Sequence, residues 1–350
     1  MYFHSTSNTR TLLSAHANIQ GLFYQEGGVS KPIPSVPIFS YSTNSDVLQG
    51  RKTCKKAINA ELTTIYNSPE WSQKEKENSD LLKQLSSASG LSTPISLLNI
   101  SDIGDALYCA NHSKRSDCLF SSVLDVGGIN LHKWTKERMY NATNDRLAKM
   151  RISTFVNHVL TTMQSHLQKE GRLYHFYSGH DGNLLSLIQL FKQRSPGIVP
   201  FASAFIFELH KINQTAQRPF APGDVGVKLK YFPFDQLPIN SDREQDSFYD
   251  RSDEINLPWN QNNGDVTREV CGNEYCSLSS LQDMTFTQDK WEEVCGLSTP
   301  GKQAYPKWLL VLSIVLGGLI LCVVVALLIV LIQLRKTRHN FAPSLEPTNS

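Results

Sequence analysis

The chain has 350 residues, a formal net charge of +2, 40% hydrophobic and 19% charged residues. That balance supplies neither the one-sided basic field of a nucleic-acid binder nor an acidic tail, so no nucleic-acid partner is expected. The length supports one large domain or two small ones with a sizeable core.

Met1 to Ser5 reads as a short aromatic strand. From Thr9 the pattern turns helical: Leu12, His16, Ile19 and Phe23 share a face, Thr9 is suited to cap the helix, and Arg10 falls in its first turn. Gly27-Gly28 closes that unit, and Pro32, Pro34 and Pro37 mark an extended connection. Helices are expected from Cys54 to Tyr66, Ser72 to Ser87 and Ser96 to Leu107, separated by Pro69, Gly90 and Pro94. Leu147, Met150, Phe155, Val159, Leu160, Met163 and Leu167 line a long amphipathic helix that stops at Gly171. Leu173 to Ser178 reads as a buried strand, Gly179-His180-Asp181-Gly182 as a turn, and Leu184 to Phe191 as a helix. Phe201 to Leu209 and Val225 to Phe232 read as further strands, and the alternation of elements indicates an α/β layered domain. Residues 236–270 are rich in Asn, Asp, Gln and Glu and read as a polar insert or loop.

Trp308 to Leu334 carries no charged residue. At ~1.5 Å rise per residue a helix of this length exceeds a hydrocarbon core of about 30 Å, so a transmembrane helix is expected over 308–334. Arg335, Lys336 and Arg338 follow it and assign 335–350 to the cytoplasm. Two features fit an exported region before the span. Asn99, Asn111, Asn141 and Asn213 open N-x-Ser/Thr sequons. Cys54, Cys109, Cys118, Cys271, Cys276 and Cys295 make an even cysteine set, which suggests disulfides and leaves their connectivity open. Cys322 sits inside the apolar run. The start, Met1-Tyr2-Phe3-His4-Ser5-Thr6, has neither the charged start nor the apolar stretch of a signal peptide, so an N-terminal piece is expected to be missing.

The chemistry concentrates at His180-Asp181, where a strand gives way to a helix, the usual place for a site in an open α/β sheet. A helix start at Asn183 offers free N–H groups to an anion. Arg10 opposes the dipole of its own helix, and an anion bound there removes the conflict. Ser178, His180 and Asp181 are too close in sequence for a hydrolase triad. His175 and His180, five apart, would face opposite sides of a strand, and no metal or cofactor is expected.

Ser5-Thr6-Ser7-Asn8-Thr9-Arg10-Thr11 and Tyr177-Ser178-Gly179-His180-Asp181 resemble two active-site segments of the branch-two histidine phosphatases, of the membrane-anchored lysosomal and prostatic acid phosphatase type. Cys54 to Cys109, ending Asp105-Ala106-Leu107-Tyr108-Cys109, is similar to that family's helical cap. Phe201 to Leu209 resembles the strand after the His-Asp segment, and Cys276-Ser277-Leu278 a short C-terminal stretch. The resemblance implies a phosphoglycerate-mutase-like three-layer α/β sandwich with an inserted helical cap. Its core would lie at 1–49 and 130–235, its cap at 50–129, and a disulfide-bonded segment and stalk at 271–307, ahead of the transmembrane helix.

The resemblance also implies hydrolysis of phosphate monoesters at acidic pH through a phosphohistidine. Arg10 would clamp phosphate, His180 would be the second histidine on the phosphoryl oxygens, and Asp181 the general acid. It implies disulfides Cys54–Cys295, Cys109–Cys118 and Cys271–Cys276, Cys118 standing in because Ala204 replaces the family cysteine. It further implies a homodimer and a type I membrane protein of lysosomal, endosomal or plasma membrane. The sequence departs from the family elsewhere too. The Arg-His-Gly-x-Arg segment with the nucleophile and a central strand is absent from these residues, so these residues alone are expected to be inactive. The family's Arg before Ser-Thr is His4, and its Asp after Ser-Thr is Ser7. The alternative expectation is a non-catalytic ectodomain that binds phosphorylated ligands or a protein partner.

Overall fold

The structure is a computed structural model, and it describes residues 1–23, 35–113, 120–141, 143–168, 171–193, 195–233, 264–297, 318, 324 and 327–332. The chain divides into two units, Met1–Leu297 and Ser298–Ser350. The elements of the first unit run β1 (Tyr2–Ser5), α1 (Thr9–Phe23), β2 (Ile38–Phe39), a 3-10 turn (Val47–Gln49), α2 (Gly50–Thr53), α3 (Lys55–Tyr66), α4 (Pro69–Glu77), α5 (Ser79–Ser89), α6 (Ser101–His112), α7 (Ser122–Met139) and α8 (Asp145–Gln168). Then follow β3 (His175–Ser178), α9 (Asp181–Leu190), β4 (Ala204–Lys211), β5 (Val225–Phe232), α10 (Thr267–Cys271), α11 (Leu278–Asp283) and α12 (Gln288–Cys295).

Two sheets form. β1 lies between β2 and β3, parallel to both, with Phe3 opposite Phe176 and His4 opposite Tyr177. Because side chains alternate along a strand, Ser178 and Tyr177 leave opposite faces. Ser178 Oγ donates to the Thr11 carbonyl of α1 at 2.7 Å, while Tyr177 meets Phe155 and His158 of α8. The order is helix, sheet, helix, as expected of the layered fold. β4 and β5 form a separate antiparallel pair. Apolar residues of α8, α9, β5 and α11 make the main core, including Ile152, Val156, Leu187, Val227, Leu229 and Leu281.

The helices α4 to α7 pack on a second core of Trp71, Leu85, Leu97, Ile100, Leu107 and Leu131. The single helix expected from Ser72 to Ser87 is two. Asn78 turns its Nδ2 onto the Lys74 carbonyl at 2.8 Å and ends α4, the usual competition of a short amide with the helix ladder. The helix expected from Ser96 begins at Ser101, because Asn99 Oδ1 accepts from the Ser96 amide at 2.7 Å and holds a turn. α6 and α7 approach closely at Gly104, where a Cβ would stand 2.3 Å from His132 Cβ. α7 is continuous across residues 129 and 130.

Cys54 and Cys295 are joined in a third core with Ile58, Leu62, Leu147, Met150 and Trp291, and Cys271 is joined to Cys276. Cys109 is exposed and bonded to no described residue, and its expected partner Cys118 lies outside the described residues. Most of the insert expected at 236–270 also lies outside them, up to 263. The same holds for most of 308–334; Gly318, Val324 and 327–332 are helical and exposed. Among the described residues no helix is long and apolar enough to cross a membrane.

Candidate active site

The turn between β1 and α1 and the turn between β3 and α9 lie side by side because β1 and β3 pair in register and end together, Ser5 opposite Ser178. The Thr6 amide donates to the Ser178 carbonyl at 3.2 Å, which ties the two turns at their base. Thr11 pins the first turn from within, its Oγ1 lying 2.8 Å from Thr6 Oγ1 and donating to the Asn8 carbonyl. In the second turn the His180 amide donates to Asn183 Oδ1 at 2.9 Å, and Asn183 Nδ2 reaches the Leu48 carbonyl at 2.8 Å. His180 is therefore the residue that caps α9 and is fixed by backbone on one side and by a side chain on the other.

The two turns meet at the His180 ring. Arg10 Nη2 donates to Nδ1 at 3.3 Å, and Nε2 lies 3.1 Å from Thr6 Oγ1. The Asn8 carboxamide lies 3.2 Å from the same Nε2. Burial, then the cations Arg10, Lys52 and Arg51, pull the His180 pKa below its ordinary value, against a smaller opposite effect of Asp181. The ring is accordingly neutral near neutral pH.

Asp181 opens α9, and its Oδ2 is 2.6 Å from Lys136 Nζ of α7. Burial pushes this carboxyl up, but Lys136, the Gly182 amide and Arg51 together hold it below the usual range. Arg51 runs under the start of α9: its Nη1 donates to the Tyr140 hydroxyl at 3.0 Å, and a Cβ on Gly182 would stand 2.7 Å from that nitrogen. Tyr140 in turn stacks on Arg151, whose guanidinium carbon lies 4.0 Å from the ring centroid. Arg151 is buried and donates to the Met139 carbonyl and to Gln189 Oε1.

Arg10, His180 and Asp181, the three residues expected at the site, are thus brought to one place. Three residues were not signalled by their sequence spacing: Arg51 and Lys52 on α2 and Lys136 on α7. Around the His180-Asp181 pair stand Arg10, Arg51 and Lys52, which face His180, and Lys136, which contacts Asp181, at the N-terminus of a helix whose free N–H groups add positive potential. That excess of cation over carboxylate suits an anion with more than one negative oxygen.

His4 is turned away from this cluster. It is buried, with Nε2 3.0 Å from Asp46 Oδ1, which also accepts from the Leu48 amide. This contact joins β1 to the turn before α2. Ser7 is exposed beside Asn8. Of the sequon asparagines, Asn111, Asn141 and Asn213 are exposed and Asn99 is half-buried, its Nδ2 donating to the Pro94 carbonyl.

A model of the histidine phosphatase superfamily, branch 2, matches residues 1–221. No curated protein matches the chain. Among solved structures the chain is similar to a phytase from Klebsiella sp. ASR1, with a TM-score of 0.46 and 14% sequence identity. The similarity covers 66% of this chain and 63% of the phytase chain, so the chain spans less than two-thirds of that protein.

Proposed function

The chain belongs to the histidine phosphatase superfamily, branch 2, and from that premise we propose that its site works on phosphate monoesters at acidic pH through a phosphohistidine. The observation that carries the reading is the meeting of Arg10 and His180, with Asp181 beside them. Arg10 binds the phosphoryl oxygens by charge-assisted hydrogen bonds. A bound phosphate monoester reverses the balance around His180, which gains a proton and with it a second N–H donor for the phosphoryl group. A histidine nitrogen attacks phosphorus, the bond to the ester oxygen breaks with its electron pair on that oxygen, and Asp181 protonates the departing alcohol. Water then hydrolyses the phosphohistidine, with Asp181 accepting the proton.

The attacking histidine belongs to an Arg-His-Gly-x-Arg segment, which does not occur in residues 1–350. We propose that turnover requires that segment to be supplied. Open sheet edges support this: among the described residues β3 and β4 each have one unpaired edge. A strand laid parallel along β3 ends beside His180. The test joins such a segment to the chain and assays a phosphate monoester at acid pH. Turnover with a trapped phosphohistidine is expected from the joined protein and none from residues 1–350. Turnover by residues 1–350 contradicts the proposal.

A second reading, a non-catalytic ectodomain that binds phosphorylated ligands, is favoured by one observation. Lys136 neutralises Asp181, so an anion at Arg10 is not repelled by that carboxylate. A joined protein that binds phosphate but never turns over supports it. We also propose a type I anchor at 308–334 with residues 1–307 on the lumenal or extracellular side, on the strength of the apolar run and the sequons before it. A mobility shift on glycosidase treatment, lost when the sequon asparagines are replaced, tests that orientation.

A further inference from the structure

We propose that Lys136 is a positioning residue for Asp181: its ammonium clamps the carboxylate in the ligand-free site and releases it when a phosphate monoester enters. The proposal rests on the function inferred above and assigns a role to a residue outside both active-site turns.

The geometry carries it. Lys136 Nζ stands 2.6 Å from Asp181 Oδ2, with the lysine side chain only 14% exposed and the aspartate side chain half exposed. The lysine is thus held by the protein and the carboxylate faces the open side. α7 fixes Lys136 in place. One turn earlier on the same helix, His132 is buried against α6 at Gly104 and leaves no room for the helix to shift.

The charged groups facing Asp181 are Lys136 from α7 and Arg51 from α2, and the titratable ones are His132 from α7 and its neighbour His180. Asp105 of α6 faces His132. Lys136 is the direct contact in this set and the strongest support of the ionised form. A carboxylate so held cannot donate a proton. An incoming phosphate monoester monoanion changes that in two ways. Its negative charge competes for the Lys136 ammonium, and it opposes a second negative charge on Asp181. The P–OH proton of the monoanion then passes to Asp181, and from Asp181 to the ester oxygen as the new N–P bond forms and the P–O bond breaks. The clamp makes protonation of the acid conditional on an occupied site.

The test is a carbon-13 titration of the Asp181 carboxyl in the full chain, with and without orthophosphate as the probe. The midpoint of Asp181 is expected to rise in Lys136→Met and to return towards the native value in Lys136→Arg, which keeps the charge. An unchanged midpoint in Lys136→Met overturns the clamp. With orthophosphate bound, the midpoint in the unsubstituted chain is expected to rise; binding without a rise overturns the release. Orthophosphate that does not bind at all overturns the phosphate site itself and the release with it, while the midpoint in Lys136→Met still decides the clamp. Lys136→Arg also separates the proposal from a folding defect, since a merely structural lysine would give no shift that tracks charge.

Discussion

Arg10 and His180 are 170 positions apart in sequence and meet at 3.3 Å, guanidinium to imidazole. A cation placed against a neutral histidine at the N-terminus of a helix is an unfavourable arrangement until an anion joins it. The site is thus prepared for an anion by its own electrostatic imbalance.

Asp181→Asn, in the chain joined to an Arg-His-Gly-x-Arg segment, tests the general acid. Loss of the acid matters most when the leaving oxygen is basic. Turnover of an alkyl phosphate is expected to fall by about 10²–10⁴-fold, and turnover of p-nitrophenyl phosphate by much less. Equal losses on the two substrates would remove Asp181 from the acid role.

His132 predicts an acid-sensitive fold. Burial and then Lys136 lower its pKa from 6.5 to about 4. The unfolded chain takes up this proton below about 6.5 and the folded chain does not, so stability is intact above that pH and is lost as pH falls towards 4. The full effect is on the order of 3 kcal/mol. Denaturant unfolding at pH 7, 5.5 and 4.5 should show a clearly shallower loss in His132→Gln.

Cys54–Cys295 spans 241 positions and lies in a buried core, whereas Cys271–Cys276 spans 5. The difference in loop-closure entropy between them is roughly 3 kcal/mol. Replacing Cys54 and Cys295 together by Ala is expected to destabilise the protein by about 2–5 kcal/mol. The corresponding change at Cys271 and Cys276 should cost less, as read from denaturation midpoints.

Gly104→Ala tests the packing behind Lys136. The added methyl would stand 2.3 Å from His132 Cβ and 3.2 Å from the Gly128 carbonyl, and both belong to α7. α6 and α7 must separate, at a cost of about 1–3 kcal/mol. An unaltered unfolding midpoint would show that the helices yield there freely.

The strand, turn and helix around His180, and the helix carrying Arg10, were legible in sequence because local pattern dictates them. Leu12, Ile19 and Phe23 repeat at helical spacing, and an apolar strand before Gly179 leads into the next helix. α7 was not legible: Gly127-Gly128 and scattered polar residues blur its periodicity, and its partners α5 and α6 supply the packing that makes it a helix. Lys136 was hidden for the same reason, and Arg51 because α2 is one short turn with no pattern of its own. The meeting of α7 with α9 is tertiary, and no local spacing reports it. The pairing of Cys54 with Cys295 was open from the residues alone and followed from family resemblance.

The most direct test is a calorimetric titration of the full chain with orthophosphate near pH 5, beside Arg10→Ala. Saturable binding is expected, weakened roughly 10–100-fold by the substitution, the scale of one lost charge-assisted hydrogen bond. No binding, or equal binding by both proteins, would contradict a phosphate site built on Arg10 and His180.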